Sequence, residues 1–243
     1  MRILIVSQYF WPEQFRVNDI AEHFSNKGFE VDVLTGYPNY PKGKLFENFK
    51  ENEKKYSNYR GAKVYRVPIW MRRNSNKINL FLNYLSFILS AIIFGSFFLR
   101  KRKYDIIFTF ATSPITVSLV SIFFSKIKGA KSILWVLDIW PNILLELSII
   151  KNKFLYKFLE NIVRKIYLNN DIILAQSKTF IKIINQQIYP KKKKIFYFPA
   201  WPENLGQNNK KFIDKFETKK RRLNNEKINI VFTGNVGEAQ NFD

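Results

Sequence analysis

Short, mostly apolar runs alternate along the chain with longer segments in which apolar residues recur at helical spacing. The runs have the length of buried strands, and they are Ile3–Ser7, Val31–Thr35, Lys63–Ile69, Ile106–Phe110, Ser132–Asp138, Asp171–Ala175 and Lys194–Pro199. The helical segments include Val17–Phe24, Thr116–Ile127, Leu155–Tyr167 and Thr179–Gln187. This alternation predicts an α/β fold, a doubly wound, Rossmann-like parallel sheet that is covered on both faces.

A change of composition after Pro199 predicts the domain boundaries. Residues 1–200 carry the alternating pattern, whereas residues 201–227 are polar and indicate a linker. Residues 228–243 then supply one more buried strand and a turn that contains glycine. We interpret them as the start of a second, truncated domain of the same kind, and we expect the chain to be a fragment of a two-domain protein.

One segment, Leu80–Leu99, contains no charged residue and is long enough to cross a membrane. Basic residues flank it on both sides, namely Arg72, Arg73, Lys77 and Arg100–Lys103. It has three interpretations: a helix that dips into the membrane interface, a core helix, and a true span. A span would place the strands before and after it on opposite sides of the bilayer, where they could not share a sheet. The interfacial helix is therefore favoured.

The charge balance indicates anionic partners. The 40 Lys and Arg residues outnumber the 19 Asp and Glu residues, which gives a net charge of +21. Such a chain favours phosphorylated substrates, an anionic membrane or nucleic acid. The absence of cysteine excludes a disulfide framework and thiolate metal sites. The single histidine, His23, argues against a histidine-based metal site or a Ser-His-Asp triad.

Candidate binding residues follow the predicted strands. Ligands of doubly wound folds bind beyond the carboxyl ends of the strands, where the chain places QYFWPEQF, GYPNYPKGK, TSPI and DIWPN. These loops combine Tyr, Trp and Phe rings with a set of polar side chains: Glu13, Gln14, Asn39, Lys42, Lys44, Ser113 and Asp138. Aromatic faces beside amides and carboxylates suit a sugar ring, although Trp and Pro could instead only stiffen the turns. Neither a G-x-G-x-x-G nor a G-x-x-x-x-G-K-[ST] motif is present, which argues against a dinucleotide site and a P-loop.

The blocks RILIVSQYFWPE, VDVLTGYPNYPKGK, LDIWP and FTGNVGEAQ occur in this order along the chain. In them the chain resembles the N-terminal half of a family 4 glycosyltransferase, in the subgroup of N-acetyl-fucosamine and colanic-acid transferases of bacterial surface polysaccharides. The resemblance implies the GT-B fold of two facing Rossmann-like domains. It also implies retaining transfer from a nucleotide-sugar, expected to be UDP-linked, with no metal and no cofactor.

The resemblance also implies roles for individual residues. It matches Glu13 and Gln14 to the first acceptor loop, and it matches Asp138 and Trp140 to a block that faces the cleft, where Asp138 is the candidate catalytic or orienting group. Acceptor binding is expected of Glu13, Gln14 and Trp140 together with Asn39, Lys42 and Ser113, which are candidates from the loop composition. Binding of the donor phosphates would fall to Gly234, Asn235 and Gly237. The chain departs from the family in two ways. Many members have a histidine at the end of the LDIWP strand, where this chain has Leu137 and Asp138, and the E-x7-E donor motif would lie beyond Asp243. The isolated chain is therefore not expected to transfer sugar.

The implied partners are a nucleotide-sugar donor, a polyprenyl-diphosphate-linked sugar acceptor of O-antigen or capsule synthesis, and an anionic membrane surface. The implied location is peripheral, on the inner face of the bacterial cytoplasmic membrane. The alternative is a non-catalytic basic α/β protein that binds membrane or nucleic acid. Nucleic acid is not expected as a partner, because the cations are scattered and no recognition element is evident.

Overall fold

The computed structural model describes residues 1–73, 76–146 and 150–201. Its strands are β1 (Arg2–Val6), β2 (Glu30–Gly36), β3 (Asn58–Tyr59), β4 (Ala62–Val67), β5 (Ile106–Ala111), β6 (Lys131–Val136), β7 (Ile172–Ala175) and β8 (Lys194–Tyr197). Its helices are α1 (Arg16–Asn26), α2 (Glu47–Glu51), α3 (Lys77–Phe98), α4 (Ser118–Lys128), α5 (Asn142–Glu146), α6 (Lys153–Asn169) and α7 (Lys178–Ile188).

The strands form one sheet in the order β3-β4-β2-β1-β5-β6-β7-β8. All neighbours pair in parallel except the short β3, which runs antiparallel to β4. The chain builds outwards from β1 to β2 and β4, and then returns to the other side of β1 to form β5. The predicted doubly wound parallel sheet is confirmed, and its topological switch point lies between β1 and β5. Of the predicted linker only Trp201 is described, and its ring stacks on that of Trp135 with the ring centres 5.2 Å apart. The rest of the linker and the predicted second domain lie outside the described residues.

Helix ends follow local sequence rules. The side chain of Asn76 accepts a hydrogen bond from the backbone N–H of Asn79 at the start of α3, and Ser177 caps α7 in the same way. Asn152 accepts from two backbone N–H groups at the start of α6. Helix α4 ends at Gly129, which has a φ of +64° and so adopts the left-handed conformation that glycine tolerates.

Strand side chains alternate between two hydrophobic clusters, one on each face of the sheet. Leu4 and Val6 of β1 pack in the cluster covered by α3, α4, α6 and α7, whereas Ile3 and Ile5 pack in the cluster covered by α1. Both faces of β1 are buried, which explains its unbroken apolar sequence.

Helix α3 packs on the sheet through a stripe of residues four apart, which are Asn83, Phe87, Ala91, Gly95 and Leu99. A Cβ atom at Gly95 would lie 2.9 Å from Cζ of Phe124 and 3.0 Å from Cδ2 of Leu34, so glycine allows the close approach. The opposite face exposes large apolar side chains, namely Ile78, Phe81, Leu85, Leu89, Ile93 and Phe97. The helix is long and apolar enough to cross a membrane, with 22% of its apolar segment buried. However, strands on both sides of it in sequence share one sheet, which a span would divide.

A buried ion pair fixes the segment after α3 to the sheet. Asp32 of β2 is 2% exposed. It accepts hydrogen bonds from Nη1 of Arg102 at 2.7 and 3.0 Å and from the Tyr104 hydroxyl at 2.7 Å. Burial and the neighbouring carboxylate raise the pKa of Tyr104, so its hydroxyl stays protonated as a donor. The arrangement neutralises a buried carboxylate with two partners, which is how buried charge is tolerated.

We expect Asp32→Asn to lower the free energy of unfolding by about 2–4 kcal/mol, because it leaves the Arg102 charge without its partner. Urea unfolding followed by circular dichroism measures the change. The control is Glu30→Gln, which removes the exposed carboxylate paired with Arg2 and should cost about 0.5 kcal/mol or less. Equal effects of the two substitutions would contradict the assigned role of Asp32.

Candidate functional site

The candidate site lies at the carboxyl edge of the sheet, around the switch point between β1 and β5. Loops that follow β1, β2, β5 and β6 meet at this edge, since these strands are parallel. Each of the four loops contains one cis prolyl bond, and these are Trp11–Pro12, Tyr40–Pro41, Ser113–Pro114 and Trp140–Pro141. Switch points of this kind form a crevice that can hold a ligand.

Three predicted site residues form a hydrogen-bonded chain beyond β5 and β6. Nε1 of Trp140 donates to Oγ of Ser113 at 3.2 Å, and Oγ of Ser113 donates to Oδ2 of Asp138 at 2.6 Å. All three side chains are half-buried. Oδ1 of Asp138 makes no hydrogen bond to any described residue. The carboxylate is therefore oriented through one oxygen while the other can accept a hydrogen bond from a ligand hydroxyl.

Two glutamines that the sequence patterns did not single out support the loop that carries Asp138. Nε2 of Gln176 donates to the carbonyl oxygen of Leu137 at 2.6 Å. Nε2 of Gln187 donates to the carbonyl oxygen of Trp140 at 3.0 Å. Side chains from the loop after β7 and from α7 thus hold the backbone carbonyls on both sides of Asp138. These hydrogen bonds limit movement of its carboxylate.

Glu13 is buried between two loops, whereas the prediction placed it in contact with the acceptor. The side chain is 3% exposed, and its Oε1 accepts from the backbone N–H groups of Asn39 at 2.8 Å and Tyr40 at 2.6 Å. Oε2 accepts from the backbone N–H of Phe10 at 3.2 Å. Both oxygens are used within the protein, so the predicted direct contact with an acceptor is corrected. Glu13 holds the loop after β1 to the loop after β2.

The other predicted acceptor residues divide between the interior and the surface. Asn39 is fully buried, and its amide donates to the carbonyl oxygen of Tyr37 at 3.0 Å, so it shapes the loop from inside. Gln14 and Lys42 are exposed on the same two loops, where they can reach a ligand. The predicted donor residues Gly234, Asn235 and Gly237 lie outside the described residues.

The structure surrounds Arg72, which in the sequence is only a basic flank of the apolar segment, with aromatic rings. The guanidinium of Arg72 lies over three tyrosine rings, at 5.1 Å from the ring centre of Tyr9, 5.7 Å from Tyr40 and 5.5 Å from Tyr84. Arg72 also donates to the Tyr9 hydroxyl, and through Nε to Oδ1 of Asn83 at 3.3 Å. We call these residues the tyrosine cage. The polar residue in an apolar segment, Asn83, was the one sequence feature that could have indicated it.

The tyrosine cage and Asp138 influence the same phenol. Burial is the main cause that raises the pKa of Tyr84, the charge of Arg72 lowers it, and the charge of Asp138 raises it. A positive and a negative group therefore lie within electrostatic reach of one side chain at the switch point. Among the residues that the structure describes, no three His, Cys, Asp or Glu side chains are placed to share a metal ion.

Comparison with known proteins yields one curated relative and several solved structures. The chain is 23% identical over 254 residues to a protein of Escherichia coli strain K12 described as a colanic acid biosynthesis glycosyl transferase, WcaI. The match includes all of this chain and 61% of that protein, so the chain spans less than two thirds of its relative. No protein-family model matches the chain.

Three solved structures share the fold. Sucrose-phosphate synthase of Thermosynechococcus elongatus has a TM-score of 0.56 and 12% identity, and the match covers 83% of this chain and 48% of the synthase chain. Arabidopsis thaliana UGT89C1, complexed with UDP, has a TM-score of 0.53 and 10% identity, and the match covers 90% of this chain and 55% of the UGT89C1 chain. Phytolacca americana UGT2 without ligand has a TM-score of 0.52 and 10% identity, and the match covers 88% of this chain and 54% of the UGT2 chain. The predicted resemblance to GT-B glycosyltransferases is confirmed, and the fold is that of roughly half of such proteins.

The buried Glu13 predicts a pH dependence of stability. Burial raises its pKa to about 7, despite the backbone N–H donors and the nearby charge of Arg66, which lower it. The unfolded chain loses this proton near pH 4.5, whereas the folded chain keeps it until about pH 7. The contribution of Glu13 to stability is therefore complete below about pH 4.5 and is lost as the pH rises to about 7.

We expect the wild type to lose about 2–3 kcal/mol of unfolding free energy relative to Glu13→Gln between pH 5 and pH 8. Urea unfolding at several pH values measures the difference. The control Glu47→Gln removes an exposed carboxylate at the start of α2 and should follow the wild type. Parallel pH profiles for the wild type and Glu13→Gln would show that the Glu13 carboxyl does not titrate as described.

Proposed function

We propose that the chain is the acceptor-side half of a retaining glycosyltransferase that moves a sugar from a nucleotide-sugar, expected to be UDP-linked, to a lipid-linked saccharide. The observation that carries this proposal is the oriented carboxylate of Asp138 at the switch point, with Ser113 and Trp140 behind it. The glycosyl transferase description of the relative and the UDP in the Arabidopsis structure support the proposal. The role would lie in bacterial surface-polysaccharide synthesis.

Aromatic rings beside the site suit the apolar faces of sugars. The rings of Tyr9, Phe15 and Tyr40 lie 5.3 to 5.6 Å apart in pairs and connect the loops after β1 and β2. Tyr9 is buried, whereas Phe15 is half-buried and Tyr40 is 38% exposed. A sugar ring can place its C–H groups on these two outer rings while Gln14 and Lys42 bind its hydroxyls.

Asp138 has a defined task in this proposal. Its Oδ1 accepts a hydrogen bond from the attacking hydroxyl of the acceptor, while Ser113 fixes Oδ2. The negative charge also stabilises the positive charge that develops on the transferred sugar. In retaining transfer the departing phosphate can take the proton, so Asp138 orients the acceptor and is not required as a general base. Donor binding belongs to a second domain, where Gly234, Asn235 and Gly237 would approach the phosphates.

The exposed face of α3 favours a peripheral position on the cytoplasmic face of the membrane. Ile93 and Phe97 are each 64% exposed, and the exposed Arg100, Lys101 and Lys103 follow directly, whereas Arg102 pairs with Asp32. An apolar helix face bordered by cations suits the interface of an anionic bilayer, where each cation contributes about 1 kcal/mol. A non-catalytic nucleic-acid binder is disfavoured, since the same segment presents apolar side chains where phosphate contacts would be needed.

We expect Asp138→Asn to lower kcat about tenfold or more with little change in melting temperature. The substitution removes the oriented negative charge that would accept a hydrogen bond from the attacking hydroxyl. The enzyme for this test is this chain followed by the donor-side domain of the Escherichia coli relative, and the assay is transfer of labelled sugar to a lipid-linked acceptor. The control Asp171→Asn removes a carboxylate at the opposite edge of the sheet. Full activity of Asp138→Asn with a lowered melting temperature would refute the site assignment.

We expect Phe97→Ser to weaken binding to phosphatidylglycerol vesicles about three- to tenfold, since burial of an aromatic ring is lost. Phe196→Ser on β8, which is 53% exposed in the wild type, should leave vesicle binding unchanged. Sedimentation with vesicles measures both, and high salt should release the protein. Binding that only detergent reverses would be inconsistent with a peripheral contact.

A further inference from the structure

Arg72 carries a positive charge that no carboxylate among the described residues neutralises. Its Nε and Nη2 donate to Asn83, Tyr9 and Tyr84, whereas Nη1 has no acceptor in the described part of the chain. The side chain is half-buried, and the tyrosine rings hold the plane of the guanidinium in one position. A fixed guanidinium with free donors is the group that binds phosphate oxygens best.

The position of Arg72 limits which anion it can bind. It lies between the end of β4 and the start of α3, at the same edge of the sheet as Asp138. Helix α3 starts five residues later, and its first turns expose Ile78 at 70%, Phe81 at 63% and Leu85 at 38%. Arg72 thus contacts Asn83 and Tyr84 near the start of α3, whose outward face is apolar, and it shares with Asp138 an influence on Tyr84.

This combination of a carboxylate, a cation and an apolar helix face matches the chemistry of one molecule, a sugar joined through a diphosphate to a long hydrocarbon. We propose that the tyrosine cage binds the diphosphate of a polyprenyl-diphosphate-linked acceptor, whose hydrocarbon chain begins along the exposed start of α3. The inference rests on the proposed function and names the part of the acceptor that this chain recognises. A soluble diphosphate, such as that of the donor, would gain nothing from the apolar strip.

The cage itself depends on Asn83, which is fully buried in an otherwise apolar helix. Its Oδ1 accepts from Nε2 of Gln8 at 2.7 Å as well as from Arg72, and its amide donates to the carbonyl oxygen of Trp70. The side chain thereby connects α3 with the loops that follow β1 and β4. Arg72 is positioned by the fold before any ligand arrives, which reduces the cost of ordering it on binding.

Vesicle binding of the 243-residue chain tests the proposal. The vesicles consist of phosphatidylcholine with a small fraction of either polyprenyl diphosphate or phosphatidylglycerol, at equal negative charge. The variant is Arg72→Gln, and the matched control is Arg100→Gln, which removes one exposed positive charge at the other end of α3.

We expect Arg72→Gln to weaken binding to polyprenyl diphosphate vesicles about tenfold or more and Arg100→Gln about fivefold or less. On phosphatidylglycerol vesicles the two variants should behave alike. Equal losses on polyprenyl diphosphate vesicles would overturn the proposal. Arg72→Lys keeps the charge but not the planar fork of donors, so its binding should lie between that of the wild type and that of Arg72→Gln. If the Gln and Lys variants lose binding equally, charge at position 72 is not what binds, and the proposal fails.

Two further arms identify the source of the anion and separate this proposal from the proposed function. Inorganic pyrophosphate should compete only weakly, and competition as strong as that of the lipid would overturn the assignment to a lipid diphosphate. Vesicle binding involves no sugar transfer, so its outcome is independent of activity. Binding that depends on Arg72 in a two-domain enzyme without transferase activity would refute the function alone, whereas active transfer with binding independent of Arg72 would refute the cage alone.

Discussion

The packing of α3 against the sheet is the constraint on which the rest of this structure depends. Near its start Asn83 bonds to the loops after β1 and β4, and just beyond its end Arg102 and Tyr104 bond to the buried Asp32. Between these polar anchors, Gly95 lets the helix approach β2 and α4. One face of the helix makes these contacts, so its remaining apolar side chains face outwards.

The loops at the site are held by polar groups that the fold has removed from water. Glu13 uses its carboxylate on three backbone N–H groups, and the raised pKa shows that its burial costs more than these bonds return in the ionised state. Arg66 lies close enough that burial and Glu13 act on its pKa in opposite directions, and burial prevails. The buried Glu13 therefore lowers stability at neutral pH while it holds the loop after β1 to the loop after β2. Such local costs are common at sites that bind ligands.

The sequence was sufficient to predict the parallel strands, the main helices and the presence of Ser113, Asp138 and Trp140 at one edge of the sheet. These follow from local periodicity and from the rule that parallel strands end at one edge. It was not sufficient for Glu13 or Arg72, because their roles arise from contacts between loops that are 26 to 63 residues apart in sequence. Nor could it show which face of α3 is buried, since a helix that is apolar on all sides has no preferred face.

The opposite charges of Arg72 and Asp138 also bear on the direction in which the proposed acceptor would lie. Under the proposed function, a saccharide diphosphate bound in reverse would bring its phosphates to Asp138, where like charges repel, and would leave Arg72 without an anion. Bound in the proposed sense, the phosphates lie at Arg72 and the far sugar reaches Asp138. Under the two proposals, the opposite signs of Arg72 and Asp138 would therefore favour one orientation of the acceptor. Because Asn83 of α3 holds Arg72 and Ser113 holds Asp138, the fold itself would then decide which hydroxyl meets Asp138.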